Sequence, residues 1–256
     1  MGLSIKKSFA PFIFIIILLV IWELATRMLV IPTWLLPAPS LISKEMITSW
    51  PTFQQHFFAT TQLAVIGFII GVSFGLLLAL ILHMFPRIRA TIYPLLIMSQ
   101  NIPIIVLAPL LVIWFGFGIF PKIFVIILVC FFPIVIATLD GLAQTSQELM
   151  HYMQMAGASK RQIFFKLELP HALSAIFSGI KIAATYSVMG AVISEWLGAN
   201  RGMGLYMTLA QSSFRTDRVF VAIVFIMLLC LCFFTIILLI EHQLVKGTKK
   251  GSAEYE

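Results

Sequence analysis

The sequence predicts an all-α, polytopic membrane protein with about six transmembrane helices, and three observations carry that prediction. Hydrophobic residues make up 61% of the 256 and charged residues 11%, against roughly 45–50% and about 25% in soluble domains. Six apolar runs, at about 9–30, 58–84, 91–117, 119–139, 176–197 and 219–240, are each near the ~20 residues that a helix needs to cross the hydrocarbon layer. The gaps between them are short and carry Pro, Gly or charge. Six spans of about 20 residues take roughly half the chain, so residues 1–256 read as one transmembrane domain. A receptor with a large ectodomain and an ATPase carrying its own motor are excluded.

The first run follows Lys6 and Lys7 like a signal peptide, but no A-x-A pattern follows it, so it reads as an uncleaved span. The second carries Gly67, Gly71 and Gly75 at intervals of four, a spacing that suits close helix packing. The third contains Pro94, Pro103 and Pro109, which are predicted to kink it and free carbonyls, and Gln100 and Asn101 interrupt it. Only Gly116 to Lys122 separates it from the fourth, so the two runs are either separate crossings or one broken, re-entrant unit. The fifth ends near Glu195, and the sixth precedes a polar tail, 247–252, whose glycines and lysines have the wrong spacing for a phosphate loop.

Seventeen Lys and Arg against ten Asp and Glu give +7. No basic run alternates with exposed aromatics, as nucleic-acid binding requires, so the charge reports topology instead. With the N-terminus cytoplasmic, the inner segments hold Lys6, Lys7, Arg87, Arg89, Lys160, Arg161, Lys166, Lys246, Lys249 and Lys250, ten in all. The outer segments hold six: Arg27, Lys44, Lys122, Arg201, Arg215 and Arg218, with Lys181 left out of both counts. The bias favours both termini inside. Cys130, Cys230 and Cys232 lie in apolar runs and predict neither disulfide nor zinc site. The five histidines have no paired-ligand spacing, so no metal is expected. Asp140 and Glu148 have no nucleophile motif beside them, which leaves an intramembrane enzyme without support.

Under this orientation the longest cytoplasmic segment is 140–175, between spans four and five. Met150, Met153, Met155, Ile163, Phe164 and Leu167 recur at mixed spacings of three and four, which predicts a short amphipathic helix. Ser146 is placed to cap it, Gly157 to turn it, Ser159 to cap a second short helix and Pro170 to stop that one. Two short helices at an angle make a knob. Its length and its basic residues Lys160, Arg161 and Lys166 fit docking to a cytoplasmic partner, or else contact with anionic lipid.

The spacing Ala156-Gly157, nine residues, then Leu167-Glu168-Leu169-Pro170 resembles the signature of the permease subunits of bacterial ABC importers. It departs from that signature at the front, where His151, Tyr152 and Met153 stand in place of Glu-Ala-Ala. Pro103, Ala108-Pro109-Leu110, Trp114 to Gly118 and Pro121-Lys122 resemble the junction of spans three and four in the nitrate, sulfonate and taurine branch. Ser194 to Ala199 with Gly202-Met203-Gly204 resembles that branch's segment after span five. The resemblance covers about 60–240 and implies a bacterial cytoplasmic-membrane permease whose 140–175 loop is a coupling helix. The residues it places against the ATPase are Ala156, Gly157, Ala158, Lys160, Arg161, Leu167, Leu169 and Pro170. The implied partners are a second copy of the chain, two cytoplasmic ATPase subunits, an extracytoplasmic substrate-binding protein and the lipid bilayer.

No G-x-x-x-x-G-K-S/T phosphate loop occurs, so no cofactor is expected in this chain and ATP belongs to another subunit. Glu195, at the outer end of span five, is the first gate candidate, since an ionisable group in a membrane needs water, a partner or a substrate. Its alternative is an interfacial carboxylate paired with Arg201 or another outer arginine. Gln100 and Asn101 read first as interhelical contacts, with hydrogen bonding to substrate as the alternative that makes them pathway candidates. The polar segment 211–218 is a candidate seat for the binding protein, or an interfacial collar. The stretch 167–220 is most similar to permeases for pyrimidine precursors of thiamine, with sulfonate, taurine, nitrate and riboflavin open as cargo. A proton-coupled secondary transporter is the rival of another class.

Overall fold

The computed structural model describes residues 4–252, with side chains over 11–245. The side chains of Lys6, Lys7, Lys246, Lys249 and Lys250, counted in the charge bias, lie outside the described residues. The described chain is all helical. Its elements are α1 (Ser4–Met28), α2 (Pro39–Met84), α3 (Pro86–Ser99), α4 (Ile104–Phe115), α5 (Ile119–Ala143), α6 (Gln147–Met155), α7 (Lys160–Ile163), α8 (Leu169–Glu195), α9 (Met203–Ser212) and α10 (Thr216–Ser252). Five helices are long and apolar enough to cross a membrane, and α3 with α4 makes a sixth if that bent pair is one span.

The core is the stack of α2, α5 and α8, with α10 laid against α8 and α2. Without water to squeeze out, membrane helices hold together by close van der Waals contact, which small residues permit. Gly67, Gly71 and Gly75 face Ile126, Cys130 and Ile134 of α5, so tightly that a Cβ on Gly71 would lie 2.7 Å from the Cys130 Cβ. The α5–α8 seam uses the same device: Gly141 faces Ala175, Gly179 faces the Pro133 carbonyl and Gly190 faces Val129. Phe53, Ile126, Ile134, Val188 and Met203 are fully enclosed in this core. α1 lies on the flank of α2, packs Trp22 against Phe220 of α10, and leaves Phe12 to Ile21 exposed.

Three expectations need correction. The 58–84 run is the second half of a 46-residue helix that begins at Pro39 and passes through Pro51. The third run does not cross as one helix. It breaks at Gln100 to Pro103, and α3 and α4 meet there at a 100° bend. Pro103 sits at the cap of α4, where its missing N–H costs nothing, whereas Pro94 and Pro109 lie inside helices. The break therefore falls inside the third run, and α5 follows as a 25-residue helix of its own.

The third correction concerns Pro170, which does not end the helix begun at Lys160. Residues Phe164–Glu168 widen into a π-turn, with the Leu169 N–H donating to the Phe164 carbonyl, and the chain runs on into α8. The wider turn absorbs the donor that Pro170 lacks, so α7, the π-turn and α8 form one run of 36 residues from Lys160 to Glu195.

Candidate functional site

Two constellations occupy the two ends of that run. At the Lys160 end, Ser146 caps α6 by accepting from the Leu149 N–H at 3.4 Å. α6 ends in a Schellman turn: the Ala158 N–H donates to the Met153 carbonyl at 2.9 Å and the Gly157 N–H to the Gln154 carbonyl at 3.0 Å. Gly157 has φ +80°, a conformation that costs a side-chain-bearing residue roughly 1–2 kcal/mol. Ser159 then opens α7 with a capping box, its N–H donating to Gln162 Oε1 at 2.7 Å and its Oγ accepting from the Gln162 N–H at 3.3 Å.

These caps fix two short helices in a protruding knob with no buried residue in α6. Met150 and Met153 turn partly inward, while Leu149, Tyr152 and Met155 are 53%, 68% and 81% exposed. Ala156, Gly157, Lys160 and Arg161 are exposed beside them, Ala158 is half-buried, and the Arg161 guanidinium stands 5.8 Å from the Phe165 ring. Leu167, in the π-turn, and Leu169 and Pro170, at the start of α8, are half-buried at the knob's base. Glu168 in the same turn meets His83 Nε2 of α2 at 3.0 Å, a contact with no sequence signal because 85 residues separate the partners.

At the Glu195 end, the loop from α8 to α9 folds back, and side chains from α2 and α8 hold the first turn of α9. The Gly204 N–H donates to Glu195 Oε2 at 2.8 Å. The Met203 N–H donates to Thr60 Oγ1 at 2.7 Å, and the Thr60 hydroxyl donates in turn to Glu195 at 2.8 Å. The Gly202 N–H points to His56 Nδ1 at 3.2 Å, a bond made when the imidazole proton is on Nε2. Two successive orphan donors of a helix start thus find acceptors, with Gly202 joined to His56 through its N–H or, in the other tautomer, through its carbonyl at 3.0 Å, and the carboxylate lies where the helix dipole favours a negative charge.

Glycine is required at both ends of Gly202-Met203-Gly204. A Cβ on Gly202, at φ +136°, would collide with the Glu195 carboxyl, and one on Gly204 with the Val192 carbonyl. Glu195 is 2% exposed, and its partners are Thr60 and Gly204 rather than Arg201, which is exposed. Beside this clamp lies a cavity of about 670 Å³ between α2, the α4–α5 turn and the α8–α9 turn, bordered by Gln62, Phe117, Lys122, Glu195, Asn200 and Arg201. Gln100 and Asn101 are not part of it. Both are exposed at the α3–α4 bend, where the Asn101 amide donates to the Ile97 carbonyl at 2.8 Å. His56, Thr60 and Lys122 are the residues that sequence reasoning passed over as site members. The four-residue spacing of His56 and Thr60 on one helix face is the signal that was available.

Residues 71–246 match the family described as "Binding-protein-dependent transport system inner membrane component". The chain belongs to that family. It is 37% identical to the formylaminopyrimidine transport permease protein ThiX of Halalkalibacterium halodurans, over 95% of this chain and 98% of that one. It is 30% identical to the riboflavin transport system permease protein RibX of Chloroflexus aurantiacus, over 91% of this chain and 87% of that one. It is 28% identical to a putative aliphatic sulfonates transport permease protein, SsuC, of Bacillus subtilis, over 90% and 84%. The permease is thus an inner-membrane component of a transport system rather than an enzyme, and the ABC-importer resemblance read from its sequence holds. Among the described residues no group of three His, Cys, Asp or Glu side chains is arranged to hold a metal.

Proposed function

We propose that this permease forms the substrate pathway of an ATP-driven importer as one of two identical copies. Two cytoplasmic ATPase subunits seat the α6–α7 knob, and an extracytoplasmic binding protein delivers the cargo. Both termini, with the knob, face the cytoplasm, and the Glu195 clamp faces outward. The knob is the observation that carries this reading: a doubly capped, protruding helix pair exposes Leu149, Tyr152 and Met155 beside Lys160 and Arg161 and is mounted on a membrane-spanning helix. A connector alone needs neither the caps nor the exposed apolar face.

Ala156, Gly157 and Ala158 form the turn of the docking element, with Lys160 and Arg161 at its rim and Leu167, Leu169 and Pro170 as its mount. Glu195, Gln100 and Asn101 are retained as pathway candidates, Glu195 through the clamp it holds. ATP binds only to the partner subunit. The proposed cargo is a pyrimidine precursor of thiamine, hydroxymethylpyrimidine or its formylamino relative, which the 37% identity to a formylaminopyrimidine permease supports. The deciding experiment is co-purification with a candidate ATPase followed by hydrolysis in liposomes, with and without the binding protein. Stable association and stimulated hydrolysis are expected. No association, with uptake driven by a proton gradient alone, would move the protein to the secondary transporters.

A further inference from the structure

We infer that Lys122 contacts the cargo, and that the cavity it borders takes a small solute through an electron-rich acceptor group presented to the lysine ammonium. This rests on the transport reading above and adds the chemistry of recognition to it. At about 670 Å³ the cavity falls within the range of small-molecule sites, roughly 300–1,000 Å³. Leu63, Ile66 and Phe117 give it apolar walls, and Gln62 and Arg201 add polar groups. Glu195 borders it too, but that carboxylate is already engaged with Thr60 and the Gly204 N–H, so its role is to hold α9.

Lys122 differs. It is half-buried, yet among the described residues it has no hydrogen bond or ion pair at contact distance, its charged neighbour being Glu195 on the same cavity. It also sits in the first turns of α5, where the helix dipole opposes a cation. The Glu195 carboxylate on the same cavity acts on Lys122 through space, but it makes no direct contact with the ammonium and its oxygens are held by Thr60 and the Gly204 N–H, so no group among the described residues hydrogen-bonds this half-buried charge. Positions where local rules fail are expected at functional or strained sites. The group that completes Lys122 therefore comes from outside the chain: the acceptor end of the cargo, an anionic sulfonate or carboxylate or a neutral formyl or ring nitrogen.

The test uses proteoliposomes of the full permease with its ATPase and binding protein, reading uptake and ATP hydrolysis together for formylaminopyrimidine and for an aliphatic sulfonate. Lys122→Met is expected to lower uptake per ATP at least about tenfold while binding-protein-stimulated hydrolysis stays within about twofold, and Lys122→Arg to recover most of the loss. For an anionic cargo Lys122→Glu falls below Lys122→Met, and for a neutral one the two fall alike. Wild-type uptake per ATP in Lys122→Met overturns the inference, as does a parallel loss of uptake and hydrolysis, which would make Lys122 a supporting residue. A wild-type permease that neither associates with its ATPase nor supports hydrolysis stimulated by the binding protein would instead overturn the transport reading, and this inference with it.

Discussion

Glu195 offers the sharpest perturbation, because a clamp and a charged gate respond differently to the same two substitutions. In Glu195→Ala the buried Gly204 N–H loses its acceptor, whereas the Thr60 hydroxyl still has the His56 carbonyl at 3.2 Å. Stranding one buried donor costs about 1–3 kcal/mol, and deleting the side chain from a packed site adds a cavity term. Relief of the buried carboxylate offsets part of this. A net loss of about 2–3 kcal/mol confined to the start of α9 is expected, which corresponds to amide exchange about 30- to 150-fold faster at 203–206. Glu195→Gln keeps an acceptor for the Gly204 N–H and should lose about 1 kcal/mol or less. Hydrogen exchange of the purified permease in detergent, read peptide by peptide, makes the comparison, with uptake measured alongside. Unchanged exchange across α9 in Glu195→Ala would refute the clamp. Native exchange with abolished uptake in Glu195→Gln would return the charge itself to the role of gate.

Two further outcomes follow from the knob. Gly157→Asp leaves membrane insertion intact, since a Cβ at Gly157 would point into open space and aspartate tolerates a left-handed backbone better than most residues; it is expected to abolish substrate-stimulated hydrolysis by placing a charge on the docking face, and normal coupled activity would remove the knob from the interface. Breaking the His83–Glu168 contact with His83→Ala or Glu168→Ala is expected to lower uptake per ATP several-fold, with the double variant no worse than either single, and additive losses in that cycle would show that the two side chains act separately.

The all-α class and most of the spans were legible because each rests on an apolar stretch of fixed length. The knob was legible down to its caps, since Ser146, Gly157 and Ser159 act through bonds to residues three or four positions away. Reasoning from local chemistry failed where tertiary context prevailed. Pro51 and the polar stretch after Pro39 look like a loop, yet Ile42, Ser49 and Phe53 bury one face and keep α2 continuous. Pro170 looks like a stop, yet a π-turn passes the chain through it. The clamp was half legible. Glu195 stood out as an ionisable group in an apolar run, but its partner Thr60 lies 135 residues away and carries no charge to mark it.

That π-turn matters for how the two ends communicate. At about 1.5 Å per residue, the 36 residues from Lys160 to Glu195 span roughly 54 Å. A continuous helix of that length transmits an axial push with little loss, so a knob moved by closing ATPases would carry Glu195 with it. Wherever the run is soft, motion is lost, and Phe164–Glu168 is where its regular hydrogen bonding is interrupted. The His83–Glu168 contact ties that same turn to α2, which also supplies His56 and Thr60 to the clamp. Both helices that grip the start of α9 are thus anchored at the base of the knob. Displacement there must either move them together, leaving the clamp shut, or shear α8 along the glycine seams and draw Glu195 away from Thr60. Only the second would open the far end; without the His83–Glu168 tie α8 would shear out of step with the ATPase stroke, so the loss should show in uptake per ATP rather than in hydrolysis itself.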